Sequence, residues 1–231
     1  MCGRYALTLP PEAVRLYFGY AERPNFPPRY NIAPTQPVAI VRARAEDGAL
    51  TRHFALVRWG FLPGFVKDAK TFPLLVNARA EGIAGKPSFR AAVRRRRCLF
   101  LADGWYEWLR APGPGGKIVR RPFLFRRRGG GAMGLAGLYE TWSDPQGGDI
   151  DTGCVITTPA NAMARAVHDR MPAILAPQDF DRWLDCTDDR NAGAALDLLK
   201  PAPDDAFESF EIGSEVNRAT NDGPHLQRPI A

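Results

Sequence analysis

Three glycine clusters, Gly113–Gly116 (interrupted by Pro114), Gly129–Gly131 and Gly147-Gly148, cut the middle of this 231-residue chain into pieces of strand length. Glycine reaches positive φ at no steric cost, so such clusters mark tight turns. The segments near 121–127 and 132–139 between them, and 153–158 beyond, read as strands. Cys98–Ala102 is an unbroken apolar run, as a strand buried on both faces requires. Two more strands are expected at 38–44 and 50–59 around the turn signal Glu46-Asp47-Gly48, and a last one near 208–216.

Helical periodicity is confined to short stretches. Residues 10–19 open on prolines, place Val14, Tyr17 and Phe18 on one face and can end at Gly19. Further short helices are expected at 88–95, 160–166, 177–185 and 191–199, and the proline-rich stretches 24–37 and 61–76 read as irregular surface loops. The fold class implied is α+β: an antiparallel-rich, open barrel-like sheet with peripheral helices, one domain over 1–231.

Hydrophobic residues make up 45% and charged residues 24% of the chain, ordinary globular usage. No run approaches ~20 apolar residues, so no membrane span is expected. The opening MCGRYALTLPPEAV has no apolar core of export-signal length, so a cytoplasmic setting is expected. The net charge is +6, with 31 basic residues, most of them Arg, which suits a polyanionic partner or an Arg-rich proteome. Cys2, Cys98, Cys154 and Cys186 lie far apart with no CxxC pair, so neither a zinc site nor a disulfide scaffold is expected; no metal or cofactor is implied. The GPGGKIV stretch at 113–119 lacks the first Gly and the Ser/Thr of a Walker A loop and is set aside as one.

Cys2 is the residue with distinctive chemistry. Initiator Met is normally removed before a small second residue, which leaves a 1,2-aminothiol. The amine condenses with an aldehyde, and the thiol then closes a five-membered thiazolidine in an intramolecular step. Arg4 could lower the thiol pKa. Glu107, between Trp105 and Trp108, is a candidate acid/base whose pKa aromatic neighbours would raise; its bland alternative is a strand-end Glu paired with an Arg. His168 can shuttle a proton or simply brace a loop. Asn77 could orient substrate or the terminal amine, and Arg79 and Arg170 could grip phosphates; each could equally serve its own loop. The Arg94–Arg97 run reads as a solvated helix end.

The segments CGRY at 2–5, YNIAPTQ at 30–36, VRWGFLP at 57–63, NARAE at 77–81, CLFLADGWYEW at 98–108, TTPAN at 157–161, HDRMP at 168–172 and VNRATNDGPHLQRPI at 216–230 occur in order along nearly the whole chain. Together they resemble the SRAP family of abasic-site-processing proteins. The resemblance implies a barrel-like sheet with mixed helices. It implies a covalent thiazolidine crosslink to an abasic site, formed by Cys2. Asn77 would hold the Cys2 amine and the sugar, Glu107 would serve as acid/base, and His168 would assist sugar opening and crosslink reversal. Arg4, Arg79 and Arg170 would contact phosphates. The implied partner is single-stranded DNA, or a junction of single- and double-stranded DNA, containing the lesion. Autopeptidase and AP-lyase activities, an SOS setting and nucleoid association through DNA are implied too, and a monomer is expected. Where family members often carry Trp after the WGxxP segment, this chain has Gly64-Phe65-Val66; Phe65 would stack on bases with less area.

Two other classes compete. An N-terminal-nucleophile amidohydrolase such as a glutaminase domain also begins Met-Cys-Gly, but the chain contains no Asn-Gly for its oxyanion site. A noncatalytic nucleic-acid-binding module would tolerate loss of Glu107 and His168.

Overall fold

The computed structural model describes residues 2–230. In chain order the strands are β1 (Tyr5–Leu7), β2 (Arg29–Ile32), β3 (Pro37–Glu46), β4 (Ala49–Trp59), β5 (Asn77–Arg79), β6 (Arg97–Ala102), β7 (Gly104–Pro112), β8 (Ile118–Arg127), β9 (Met133–Ser143), β10 (Asp149–Pro159), β11 (Arg170–Pro172), β12 (Ile174–Leu175) and β13 (Phe207–Glu211). The α-helices are short: α1 (Pro11–Phe18), α2 (Arg90–Arg95), α3 (Ala162–Arg165), α4 (Phe180–Leu184) and α5 (Asn191–Leu196).

The architecture is α+β and dominated by antiparallel pairing, as the segment pattern implies. β4, β3, β6, β9 and β10 pair in succession, and β10 returns to β4, so the sheet closes into a ring. Closure is short: β10 meets β4 only at Thr152↔Arg58 and Gly153↔Trp59, in parallel. The result is ring-like rather than a barrel with continuous ladders. A second sheet, in the order β13-β8-β7-β1-β2, carries the amino-terminal strand.

Local chemistry explains the joints. Asp47 and Gly48 both take positive φ, 50° and 78°, and so make the two-residue hairpin that sets the ten-pair register of β3 on β4. Phe100 fills the ring interior because Gly137 leaves it space; a Cβ there would lie 2.5 Å from Phe100 Cδ2. Arg97 is 1% exposed and donates from Nε to Trp183 O (2.6 Å) and from Nη1 to Val93 O (2.6 Å). The Arg94–Arg97 run is therefore not uniformly solvated: its last member is a buried brace between α2 and α4, where a charge is tolerated because several carbonyls accept from it.

Three expectations are corrected. Arg29–Ile32, inside the stretch read as irregular loop, is a strand because β1 supplies its partner. β13 ends at Glu211, and Ser214–Asn217 beyond it is a 3₁₀ turn. The 177–185 segment is a 3₁₀ turn over Pro177–Asp179 running into α4. Among the described residues no helix is long and apolar enough to cross a membrane.

Candidate active site around Cys2

Four elements converge on the amino terminus. β1 pairs with β7 through Tyr5↔Trp105, and Tyr106 N–H donates to Arg4 O (3.0 Å), which carries Cys2 alongside Glu107 on β7. β5 is too short to hold itself. Its shape comes from parallel pairing with β10, Val155↔Asn77 through Thr157↔Arg79. Trp59 Nε1 also donates to Val76 O at 2.9 Å, while the Trp59 ring packs edge-on against Tyr5 at 5.2 Å. Trp59 thus ties the Asn77 segment to the strand that follows Cys2. Asn77 Nδ2 completes the tie by donating to Cys2 O at 2.8 Å. Asn77 Oδ1 is buried and accepts no hydrogen bond among the described residues.

The fourth element is the turn after α3. Asn161 caps that helix, its Oδ1 accepting from Ala164 N (2.9 Å), and His168 N donates back to Ala164 O (2.9 Å). The His168 ring Nδ1 accepts from Arg170 N at 2.9 Å, which leaves the proton of the neutral ring on Nε2. Burial lowers the His168 pKa, and the Arg110 cation acts in the same direction; the Asp169 carboxylate, 3.0 Å from Nδ1, opposes them. Neutral imidazole is the form favoured near pH 7.

Burial pushes the Glu107 carboxyl up to about 7, and the nearby Asp169 charge adds to the rise. This is the pKa of a group that can give and take a proton at neutral pH. The side chain is 3% exposed. The Cys2 thiol departs from expectation. Cys2 is fully buried, and burial together with the Glu107 charge holds its thiol pKa well above the usual range. The Arg4 backbone N–H acts downward on it, outweighed by burial, but the Arg4 guanidinium is occupied elsewhere, with Nη1 donating to Asn31 Oδ1 (2.6 Å) and Val216 O (2.8 Å), and lies over the Trp108 ring at 5.8 Å. The sulfur therefore enters the site as a thiol.

The remaining candidates are dispersed. Arg170 is 9% exposed and forms a forked pair with Glu81, Nη1–Oε1 2.6 Å and Nη2–Oε2 2.9 Å, while Nη2 also donates to Thr157 O at 2.6 Å. Arg79, at the end of β5, is exposed and makes no ion pair or hydrogen bond among the described residues. Phe65 lies outside the convergence, 62% exposed, with its ring edge-on to Phe72 at 6.3 Å. Among the described residues no group of three or more His, Cys, Asp or Glu side chains converges as a metal site requires.

Local reading passed over three residues that build the site: Trp59, Glu81 and Asn31. Asn31 is 2% exposed, and its Nδ2 donates to Arg218 O (3.0 Å) and Asn221 O (2.8 Å), stapling the carboxy-terminal tail beside β1. All three lie inside the quoted motifs, which was the available signal; their partners are too distant in sequence for local patterns to name.

The family model described as "SOS response associated peptidase (SRAP)" matches residues 1–219. The chain belongs to the SRAP family. The abasic site processing protein YoqW of Bacillus subtilis is 34% identical over 229 residues, covering 98% of each chain. The abasic site processing protein HMCES of Gallus gallus is 28% identical, covering all of this chain and 78% of its own. Among solved structures, a protein from Bacteroides thetaiotaomicron matches with a TM-score of 0.80 at 21% identity over the full length of both chains, a likeness of fold. A Bordetella bronchiseptica protein matches with a TM-score of 0.76 at 26% identity, covering 92% of this chain and all of its own.

Proposed function

We propose that this SRAP protein processes abasic sites in single-stranded DNA, capturing the lesion as a covalent thiazolidine on Cys2 once Met1 has been removed. The observation that carries the reading is the pairing of a buried Cys2 thiol with a Glu107 carboxyl whose pKa is about 7, beside Asn77 held to the Cys2 carbonyl.

The chemistry follows from the protonation states. The Cys2 amine adds to the C1 aldehyde of the opened sugar to give a carbinolamine. Protonated Glu107 gives its proton to the departing hydroxyl, water leaves, and an iminium remains. The Cys2 sulfur then bonds to that carbon, the π pair moves to nitrogen, and the thiol proton passes to the Glu107 carboxylate. Aldehyde and aminothiol become thiazolidine and water, and Glu107 ends protonated as it began. A carboxyl with an ordinary pKa would be a poor donor at pH 7; one near 7 serves both steps. Neutral His168 fits proton transfer at the sugar ring oxygen as the ring opens. Asn77 Oδ1, which accepts no hydrogen bond among the described residues, is available to the amine or a sugar hydroxyl. Arg79, exposed at the site's edge, suits a phosphate contact.

Ring closure removes the iminium through which β-elimination would cleave the strand, so shielding and AP-lyase activity compete at one intermediate. Incubation with a uracil-glycosylase-treated oligonucleotide should give an adduct that survives denaturation and heating. Cys2→Ser has no thiol to close the thiazolidine and should give none of equal durability. An equally durable adduct from Cys2→Ser would overturn the proposal.

A further inference from the structure

The chain's excess charge sits in one place. Residues 108–139 hold seven basic side chains and no acidic one, while the other 24 basic residues of the chain face 25 acids. The net charge of +6 is thus carried by this segment, which contains the β7–β8 hairpin with its tip at Gly113–Gly116.

Six of these seven cations fall into two sets. On the side toward β13, Arg121 forms a forked pair with Glu211, Arg126 Nε donates to Glu208 Oε1 at 2.6 Å, and Arg128 donates to the Asp205 and Phe207 carbonyls. These are consumed by the fold. Arg110, Lys117 and Arg120 are exposed and make no ion pair or hydrogen bond among the described residues. Moreover, Arg110 and Arg120 sit directly opposite each other across the ladder. Like charges so placed, with Cβ atoms about 5 Å apart, repel and weaken the hairpin unless an anion lies between them.

Position links this pair to the site. Arg110 lies on the same strand as Glu107, three residues further on and so about 10 Å along it. Its charge is felt at His168. Arg110 shares its face of the strand with Trp108, whose ring carries the Arg4 guanidinium. The hairpin therefore leaves the site as a cationic arm.

We propose that the β7–β8 hairpin is a DNA-backbone arm, in which Arg110 and Arg120 together clasp phosphates of the strand running out from the Cys2 site and Lys117 extends the track toward the tip. This deepens the reading of Cys2 as an abasic-site nucleophile and rests on it for the identity of the polyanion. The stretch 113–119, which fails as a nucleotide-phosphate loop, finds its place as the turn that presents these cations.

The test separates the two readings. Noncovalent binding of Cys2→Ala protein to a labelled single strand of about 15 nucleotides is measured across a salt series, with and without Arg110→Ala/Arg120→Ala. Each phosphate contact on single-stranded DNA contributes about 0.7 to the slope of log affinity against log salt, so the double substitution should lower that slope by about 1.4. Affinity at 0.15 M salt should fall about tenfold, and binding of a trinucleotide should change far less. Both side chains are exposed, and removing like charges should leave the melting temperature unchanged or raised, which checks the fold. An unchanged slope and affinity for the longer strand overturn the arm, including the case in which the exposed cations and Ile118 serve a protein partner. Separately, wild-type protein that binds the strand through Arg110 and Arg120 but forms no adduct would uphold the arm and overturn the crosslinking reading.

Discussion

Substituting Glu107→Gln should make the protein's stability less dependent on pH, by an amount set by the burial of that carboxyl. In the folded chain Glu107 releases its proton at about 7, against an ordinary value of 4.5. At pH 4 the proton is bound in both the folded and the unfolded chain, and its contribution cancels. As pH rises past 4.5 the unfolded chain gives up the proton while the folded chain retains it. The wild type therefore loses about 1.4 kcal/mol per pH unit from this group until the folded form also ionises near 7. The full loss is about 3 kcal/mol. Glutamine has no proton to lose. Urea unfolding of both proteins from pH 4 to pH 8 should show a stability difference that moves in favour of the Gln variant between pH 4.5 and 7 and is level above. A difference that stays constant over that range would mean that Glu107 titrates normally, and the acid/base role built on its pKa would lose its basis.

Other expectations follow from single contacts. Asn77→Ala removes the donor to the Cys2 carbonyl and should cost about 1 kcal/mol of stability, while slowing adduct formation more than tenfold in a single-turnover assay. Arg170→Met removes one of two donors to the Thr157 carbonyl, which keeps the Ala80 N–H (2.9 Å), and releases the half-exposed Glu81 to water; a loss of about 1 kcal/mol in a urea melt is expected. Gly137→Ala drives a methyl to 2.5 Å from Phe100 Cδ2 and 2.9 Å from Cys154 O. Because one of those neighbours is backbone, the ring must deform, and a thermal melt should register about 1–3 kcal/mol of destabilisation.

The parts of the fold that could be read locally share one property: the residues that determine them are adjacent. Asp47-Gly48 announces its hairpin, Cys98–Ala102 its buried strand, and Pro10-Pro11 with Gly19 the two ends of α1. What escaped was fixed by distant partners. Arg29–Ile32 becomes a strand only because β1 lies beside it, and Asn77–Arg79 only because β10 does. Proline-rich flanks hide the first, and three residues carry no period for the second. In the site, Glu107 between two tryptophans foretold its own raised pKa. The Cys2 thiol did not. Its burial depends on the convergence of β1, β5 and β7, and Arg4, the neighbour expected to lower its pKa, is drawn off by Asn31 and the tail carbonyl of Val216. Sequence proximity overstated that electrostatic coupling because a long side chain follows its best hydrogen-bond acceptors rather than its nearest neighbours in the chain.

The most direct measurement is the mass and thiol reactivity of the amino-terminal tryptic peptide, Cys2 to Arg4, recovered from protein incubated with abasic single-stranded DNA and digested with nuclease. Its mass should equal that of the peptide lacking Met1 plus the sugar remnant minus one water, with a sulfur that resists alkylation because it lies within the heterocycle. A peptide that retains Met1, or one whose sugar-bearing form still alkylates at sulfur, would contradict capture by the paired amine and thiol of Cys2.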